Sequence, residues 1–247
     1  MFLFKRKKAI LLIHGFVGGN YDYGNFQNEL QIEKEFDVFT YTLPGHEKTF
    51  VKDVKYTDWI EESVKQIEFL INHNYKEIYI IGHSMGGVIA SHLASIYPQV
   101  KKIVLVAPAF RYFYFKDGKV NIKGMNETLR NLPELFKNMG TDKVLERITK
   151  TPITTMMEFT KLVNSHENDI KKVTCPILTI YGLNDKVVPN ESIEFVYNNT
   201  NSECNILINV KNVNHDCFTR ERKEEIKHII TKFLKEKQKN KKETINI

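Results

Sequence analysis

Cysteine is scarce in this chain: three residues in 247, Cys175, Cys204 and Cys217, odd in number and widely spaced. That argues against a disulfide framework and suits a reducing compartment, with structural thiols as the ordinary reading. Long apolar runs are missing too; nothing approaches the roughly 20 apolar residues of a membrane-spanning helix. The opening residues, Met1 to Lys8, put a basic cluster after a very short apolar run. A secretory signal has the reverse order and a longer apolar centre, so none is read here. The expectation is a cytoplasmic protein without stable membrane insertion.

The net charge is +6, but the excess is not spread over the chain. Lys5 to Lys8 supply four positive charges, and residues 231–247 hold six lysines against two glutamates. Setting those two termini aside, +4 each, leaves the body at about −2. A basic binding stripe is therefore lacking, which argues against nucleic acid as a partner. Hydrophobic residues make up 42% of the chain, enough for this length to bury one full core. A single domain over residues 1–247 is expected, without internal repeats. The lysine-rich stretch 235–247 is expected to fray or stay disordered, since it can bury little.

What the chain does have is alternation. Residues 8–13 form a continuous apolar run, as in a strand buried on both faces of a parallel sheet. The run ends in the loop His14-Gly-Phe-Val-Gly-Gly19. A short helical pattern follows at 26–30 and a strand at 37–42. In the next helix Thr57 or Asp58 is the expected N-cap, with Ile60, Val64, Ile67, Leu70 and Ile71 at helical spacing. Further strands are read at 77–81, 102–107, 176–181 and 205–210, and helices at 85–97, 191–197 and 219–234. This rhythm predicts a doubly wound, mostly parallel α/β sheet. Ligands of such sheets lie beyond the carboxyl ends of the strands. The rhythm breaks over residues 110–172, where the clearest helix is 154–164. That segment reads as a helical cap inserted before the strand at 176–181.

One stretch organises the rest. The apolar run ending at Ile81 meets Gly82-His83-Ser84-Met85-Gly86-Gly87. This is the G-x-S-x-G form, in which a strand turns sharply into a helix with a serine at the bend. The bend strains the serine's backbone and needs neighbours without side chains. A serine hydroxyl also needs a base, and the base needs an orienting partner.

Eight histidines compete for that role. His83 would point away along the elbow, and His14 is better read as a structural hydrogen-bonder. His73, His92 and His228 lie in or at the ends of helices, and His166 lies in the cap. His46 could line the cleft but precedes the serine. His215 follows the last strand at the catalytic edge and is the expected base. Among the acids, Asp142 and Asp169 fall in the cap, Asp53 and Asp58 open a helix, and Asp216 adjoins His215. Asp185, in the loop after the strand at 176–181, is the expected acid. The order Ser84, Asp185, His215 is that of the α/β-hydrolase arrangement. The backbone amides of Phe16 and Met85 are the expected oxyanion donors. Phe16, Met85, Phe110 and Met156 are expected to line an apolar acyl pocket.

The motifs His14-Gly-Phe16, Gly82 to Gly87, Tyr181-Gly-Leu-Asn-Asp185 and Asn214-His215 together resemble the α/β-hydrolase superfamily. Close relatives that it suggests are small bacterial carboxylesterases of the thermophilic-Bacillus type and monoacylglycerol lipases. The resemblance covers nearly the whole chain, including Lys150-Thr-Pro152 before the cap helix. It implies the triad Ser84, Asp185 and His215 with Phe16 and Met85 at the oxyanion. It also implies hydrolysis of carboxylic esters with short to medium acyl chains, with no metal and no cofactor. The family usually has glycine where this chain has Asn214, a residue that tolerates left-handed backbone conformations. The short N-terminus leaves room for one further edge strand at residues 2–4. Alternatives are a monoacylglycerol lipase, thioesterase, acyltransferase or carbon–carbon hydrolase of the same fold, and a non-catalytic binding protein. A small-molecule ester is the expected partner, and the oligomeric state, monomer or homodimer, is left open.

Overall fold

Strand β1 (Lys8–Ile13) shows why the sheet forms where it does. Its residues alternate between two apolar clusters: Ala9, Leu11 and Ile13 belong to one, Ile10 and Leu12 to the other. A strand that feeds both layers must be covered on both faces. The computed structural model describes residues 8–47, 51, 53–111, 115–116, 119–120, 150–218 and 221–247. The expected strand at 2–4 and most of the cap segment lie outside the described residues.

Around β1 lie β2 (Phe36–Thr40), β3 (Ile78–His83), β4 (Val100–Val106), β7 (Ile177–Gly182), β8 (Cys204–Val210) and β9 (Lys241–Asn246). They form a seven-stranded sheet in the order β2-β1-β3-β4-β7-β8-β9. Every neighbouring pair is parallel. Two short strands, β5 (Phe115–Lys116) and β6 (Lys119–Val120), make a separate antiparallel ribbon inside the expected cap.

Among the described residues, six α-helices cover the sheet. One layer takes Trp59, Ile67 and Leu70 from α2 (Tyr56–Asn72) and Val88, Ile89 and Leu93 from α3 (Met85–Ile96). It also takes Phe159 and Leu162 from α4 (Ile153–His166) and Ile193 and Val196 from α5 (Asn190–Asn199). The other layer takes Phe26 and Leu30 from α1 (Phe26–Ile32) and Ile226, Ile230, Phe233 and Leu234 from α6 (Lys223–Lys235). This is the doubly wound α/β architecture.

Three local expectations need correction. The helix α2 begins at Tyr56, so neither Thr57 nor Asp58 is its N-cap; Lys55 is. Asp58 instead reaches back from the first turn, its Oδ2 accepting the Lys55 amide at 2.8 Å. The tail expected to fray pairs with β8 as β9, bracketed by bonds from the Lys241 amide to Glu203 O and from the Ile247 amide to Asn209 O, both 2.9 Å. As an edge strand it keeps its side chains largely in water, and lysines there suit an edge that must not recruit another chain. Asn214 does not take the left-handed role expected of it. That conformation falls to Asn212, with φ of 60°, while Asn214 Oδ1 accepts the Asp216 amide at 3.1 Å.

The junction before β9 rests on a buried cation. Lys102 lies on β4, and its Nζ donates to the carbonyls of Phe233 (2.9 Å), Leu234 (2.7 Å) and Glu236 (2.6 Å). These are carbonyls that the end of α6 leaves without intrahelical partners.

Candidate active site

Ser84 sits between β3 and α3 with φ of 53° and ψ of −116°. A non-glycine residue in that region costs on the order of 1–3 kcal/mol and persists only when its surroundings fix it. Here they do. The Ser84 amide donates to Val106 O at 2.9 Å, and its carbonyl accepts from Gly87 and Ala109 at 3.0 and 3.2 Å. The flanking glycines are needed for close approach. A Cβ on Gly82 would stand 2.3 Å from Gly86 O, and one on Gly86 would stand 2.1 Å from Ile13 O. The strand, the turn and the helix are thus packed backbone to backbone. Met85 opens α3, so its amide has no acceptor within the helix.

The second loop follows β1. A turn closes from the Gly18 amide to Gly15 O at 3.1 Å, with Val17 at φ of 53°. The Val17 amide donates to His46 Nε2 at 3.2 Å, and His46 Nδ1 donates to Pro44 O at 3.2 Å. His46 is thus a buried neutral strut beneath the loop and not a free wall of the cleft. His14 has the structural role expected, accepting the Leu43 amide at 3.0 Å and donating to Gly15 O at 2.9 Å.

Asp185 and His215 come together across the ends of β7 and β8. His215 Nδ1 donates to Asp185 Oδ2 at 2.8 Å. The other carboxylate oxygen accepts the amides of Val187 and Val188 at 2.7 and 3.0 Å. The carboxylate is therefore fixed by three donors, and it fixes the imidazole so that Nε2 is left as the proton acceptor. The His215 loop also meets the elbow. His83 Nε2 donates to the His215 carbonyl at 3.1 Å, and the two rings stand 4.9 Å apart.

Two residues in this region were not singled out from the sequence in the role they have. Asp22 is largely buried, and it accepts the amides of Gly15 (3.1 Å) and Gly19 (3.2 Å). Its Oδ2 lies 3.5 Å from His83 Nδ1. Burial opposes charge on both groups. Their mutual attraction outweighs it, holding Asp22 below the usual carboxylate range and His83 above the usual imidazole value. One carboxylate so links the loop after β1 to His83 and, through it, to the His215 loop. The only sequence signal was an aspartate shortly after a glycine-rich loop.

The expected pocket residues divide. Met85 and Phe110 are fully buried in the core. Phe16 and Met156 are only partly buried. Phe16 stacks on Phe159 with centroids 5.2 Å apart and meets Trp59 edge-on at 5.9 Å. The three thiols are free, and burial pushes Cys175 up to about 12 and Cys217 well above its ordinary value. No helix among the described residues is long and apolar enough to cross a membrane.

Comparison with known proteins bears on the fold and the family. The family described as "Serine aminopeptidase, S33" (Hydrolase_4) matches residues 5–223. A carboxylesterase of Bacillus subtilis is 25% identical over 207 residues, covering 79% of each chain. A thermostable monoacylglycerol lipase of Bacillus sp. strain H-257 is 24% identical over 211 residues, covering 84% of this chain and 82% of its own. Among solved structures, one described under "LipS and LipT, two metagenome-derived lipolytic enzymes" superposes with a TM-score of 0.73 at 20% identity, covering 92% of this chain and 93% of its own. With the parallel sheet, the strained serine and a family match over most of its length, the chain belongs to the Hydrolase_4 family and is an α/β hydrolase of the esterase/lipase type.

Proposed function

We propose that this protein is a carboxylesterase that cleaves esters with short to medium acyl chains through an acyl-serine intermediate. The observation that carries the reading is the Asp185–His215 pair, 2.8 Å apart at the strand ends, with the His215 carbonyl bonded to His83, the residue before Ser84. In this mechanism His215 Nε2 removes the Ser84 proton as the hydroxyl attacks the ester carbonyl. The amides of Phe16 and Met85 hold the developing oxyanion, a contribution of about 3–4 kcal/mol for a single donor. His215 then protonates the departing alkoxide and activates a water, which releases the acid. Asp185 keeps the imidazole in the required tautomer and stabilises its charged form.

Phe16 and Met156 form part of the acyl-side wall. Monoacylglycerols are the second reading. It is supported by the Bacillus sp. relative and by two exposed apolar residues on α4, Ile153 and Met157. A cytoplasmic location goes with both readings. The test is a series of p-nitrophenyl esters of increasing acyl length alongside monoacylglycerols, compared by kcat/KM, with the Ser84→Ala protein in parallel. The expected result is a preference for short to medium acyl chains that disappears in Ser84→Ala while the fold is kept. Ester turnover retained by that variant would overturn the proposal.

A further inference from the structure

Away from the candidate active site, three side chains of metal-ligating type converge where α3 meets the end of α4. His92 comes from the C-terminal half of α3, His166 is the last residue of α4, and Asp169 lies in the 3-10 turn Glu167–Lys172. Asp169 Oδ2 lies 2.8 Å from His92 Nδ1 and 3.0 Å from His166 Nδ1. The two imidazole centroids are 4.2 Å apart. Side-chain exposures of 14%, 17% and 11% leave the cluster held by packing yet open to an entering ion and its water.

We propose that His92, His166 and Asp169 bind a divalent transition-metal ion that ties α4 to α3. Two ligand atoms about 2.0–2.1 Å from an ion lie about 2.9 Å apart at the right angles of octahedral coordination and about 3.3 Å apart at tetrahedral angles. The observed 2.8 and 3.0 Å match the octahedral separation, and all three ligand atoms lie within 4.8 Å of one another. Imidazole nitrogens with one carboxylate oxygen suit Zn²⁺, Co²⁺ or Ni²⁺, whereas Mg²⁺ and Ca²⁺ prefer oxygen ligands throughout. The second carboxylate oxygen is engaged already, accepting from Lys172 Nζ at 2.8 Å. Ligating carboxylates are usually steadied by such outer hydrogen bonds, and this one leaves Oδ2 as the ligand. Water would fill the remaining positions.

The cluster joins distant parts of the chain. His92 and Asp169 are 77 residues apart. The helix α3 begins directly after Ser84, and the 3-10 turn leads into β7, whose following loop carries Asp185. An ion here would act as a staple between those two elements, without touching the reacting atoms. The competing account needs no ion: both imidazoles donate Nδ1–H to Asp169 Oδ2 and clamp the helices by hydrogen bonds alone.

The experiment uses the full-length, tag-free protein, stripped with a chelator and titrated with CoCl₂. Saturation at a single equivalent with visible d–d absorption, displaced by Zn²⁺, is expected for the wild type, and Zn²⁺ should raise its Tm. His166→Gln and Asp169→Asn should each weaken uptake by at least about tenfold. His215→Gln, a control for metal at the candidate active site, should retain uptake. Absence of saturable uptake by the wild type would overturn the proposal in favour of the hydrogen-bonded clamp. So would undiminished uptake in His166→Gln or Asp169→Asn, or loss of uptake in His215→Gln. Should the cluster variants fail to fold, the wild type decides alone: a Tm unmoved by Zn²⁺ refutes the site.

Discussion

Substituting Gly182 with alanine tests how the base is held without touching it. Gly182 ends β7, and its Cα faces the loop that delivers His215. A Cβ there would lie 2.4 Å from Val213 O and 2.7 Å from Asn214 O. Ordinary contacts begin near 3.4 Å, so the loop must retreat by up to about 1 Å. It cannot do so freely. Val213 O accepts the Asn184 amide at 2.9 Å, the His215 carbonyl accepts from His83, and the His215 ring is bonded to Asp185. The strain therefore passes to the imidazole.

A displacement near 1 Å at a reacting group costs on the order of 10²-fold in rate. Overpacking of this kind destabilises by about 1–3 kcal/mol. In a chain of this size that is roughly 2–4 °C of Tm per kcal/mol. The assay is kcat and KM on a short-chain p-nitrophenyl ester, with a thermal melt in parallel. The expected result is kcat reduced by about 10²-fold, KM nearly unchanged, and a folded protein with lowered Tm. A Gly182→Ala protein with kcat within twofold of wild type would refute the reasoning, since the crowding would then be relieved without moving His215.

Three further substitutions follow from the same contacts. Asp185→Asn can still use one side-chain oxygen for the Val187 and Val188 amides but offers His215 an amide donor, so the wrong tautomer is favoured; kcat should fall by about 10³–10⁴-fold with little change in Tm. Lys102→Met should cost about 2–4 kcal/mol in denaturant unfolding, because three carbonyls at the end of α6 lose a charged donor. Asp22→Asn should lower stability by about 1–3 kcal/mol in a pH-dependent way. The depressed Asp22 contributes above its ordinary 3.8 and loses that contribution as pH falls through its folded value. The raised His83 contributes below its ordinary 6.5 and loses that contribution as pH rises through its folded value. The wild-type-minus-variant gap in Tm should therefore be widest between about pH 4 and 6.5 and narrow on either side; a gap that is flat from pH 4 to 9 would contradict the ion pair.

What the sequence disclosed follows from where the energy is written. Interior strands such as β1 and β7 are covered on both faces, so their apolar runs announce them, and their order placed Ser84, Asp185 and His215 at strand ends in advance. The edge strand β9 buries almost nothing, and Lys241 to Asn246 carry no apolar period, so its pairing with β8 is written only in backbone bonds and could not be read. The same distinction runs through the site. Asp185 and His215 are legible because each occupies a loop whose position the strands dictate. Gly182 and Asp22 are not, because they act on backbone atoms: one by leaving room for the carbonyls of Val213 and Asn214, the other by gathering the amides of Gly15 and Gly19. Backbone contacts leave no periodicity in side chains, so the groups that hold a catalytic geometry in place are harder to find than those that perform it. For this chain the consequence is concrete: the candidate reacting groups can be named from motifs, whereas the tolerance of the site to change is expected to be decided at positions such as Gly182 and Asp22, whose roles the side-chain pattern does not disclose.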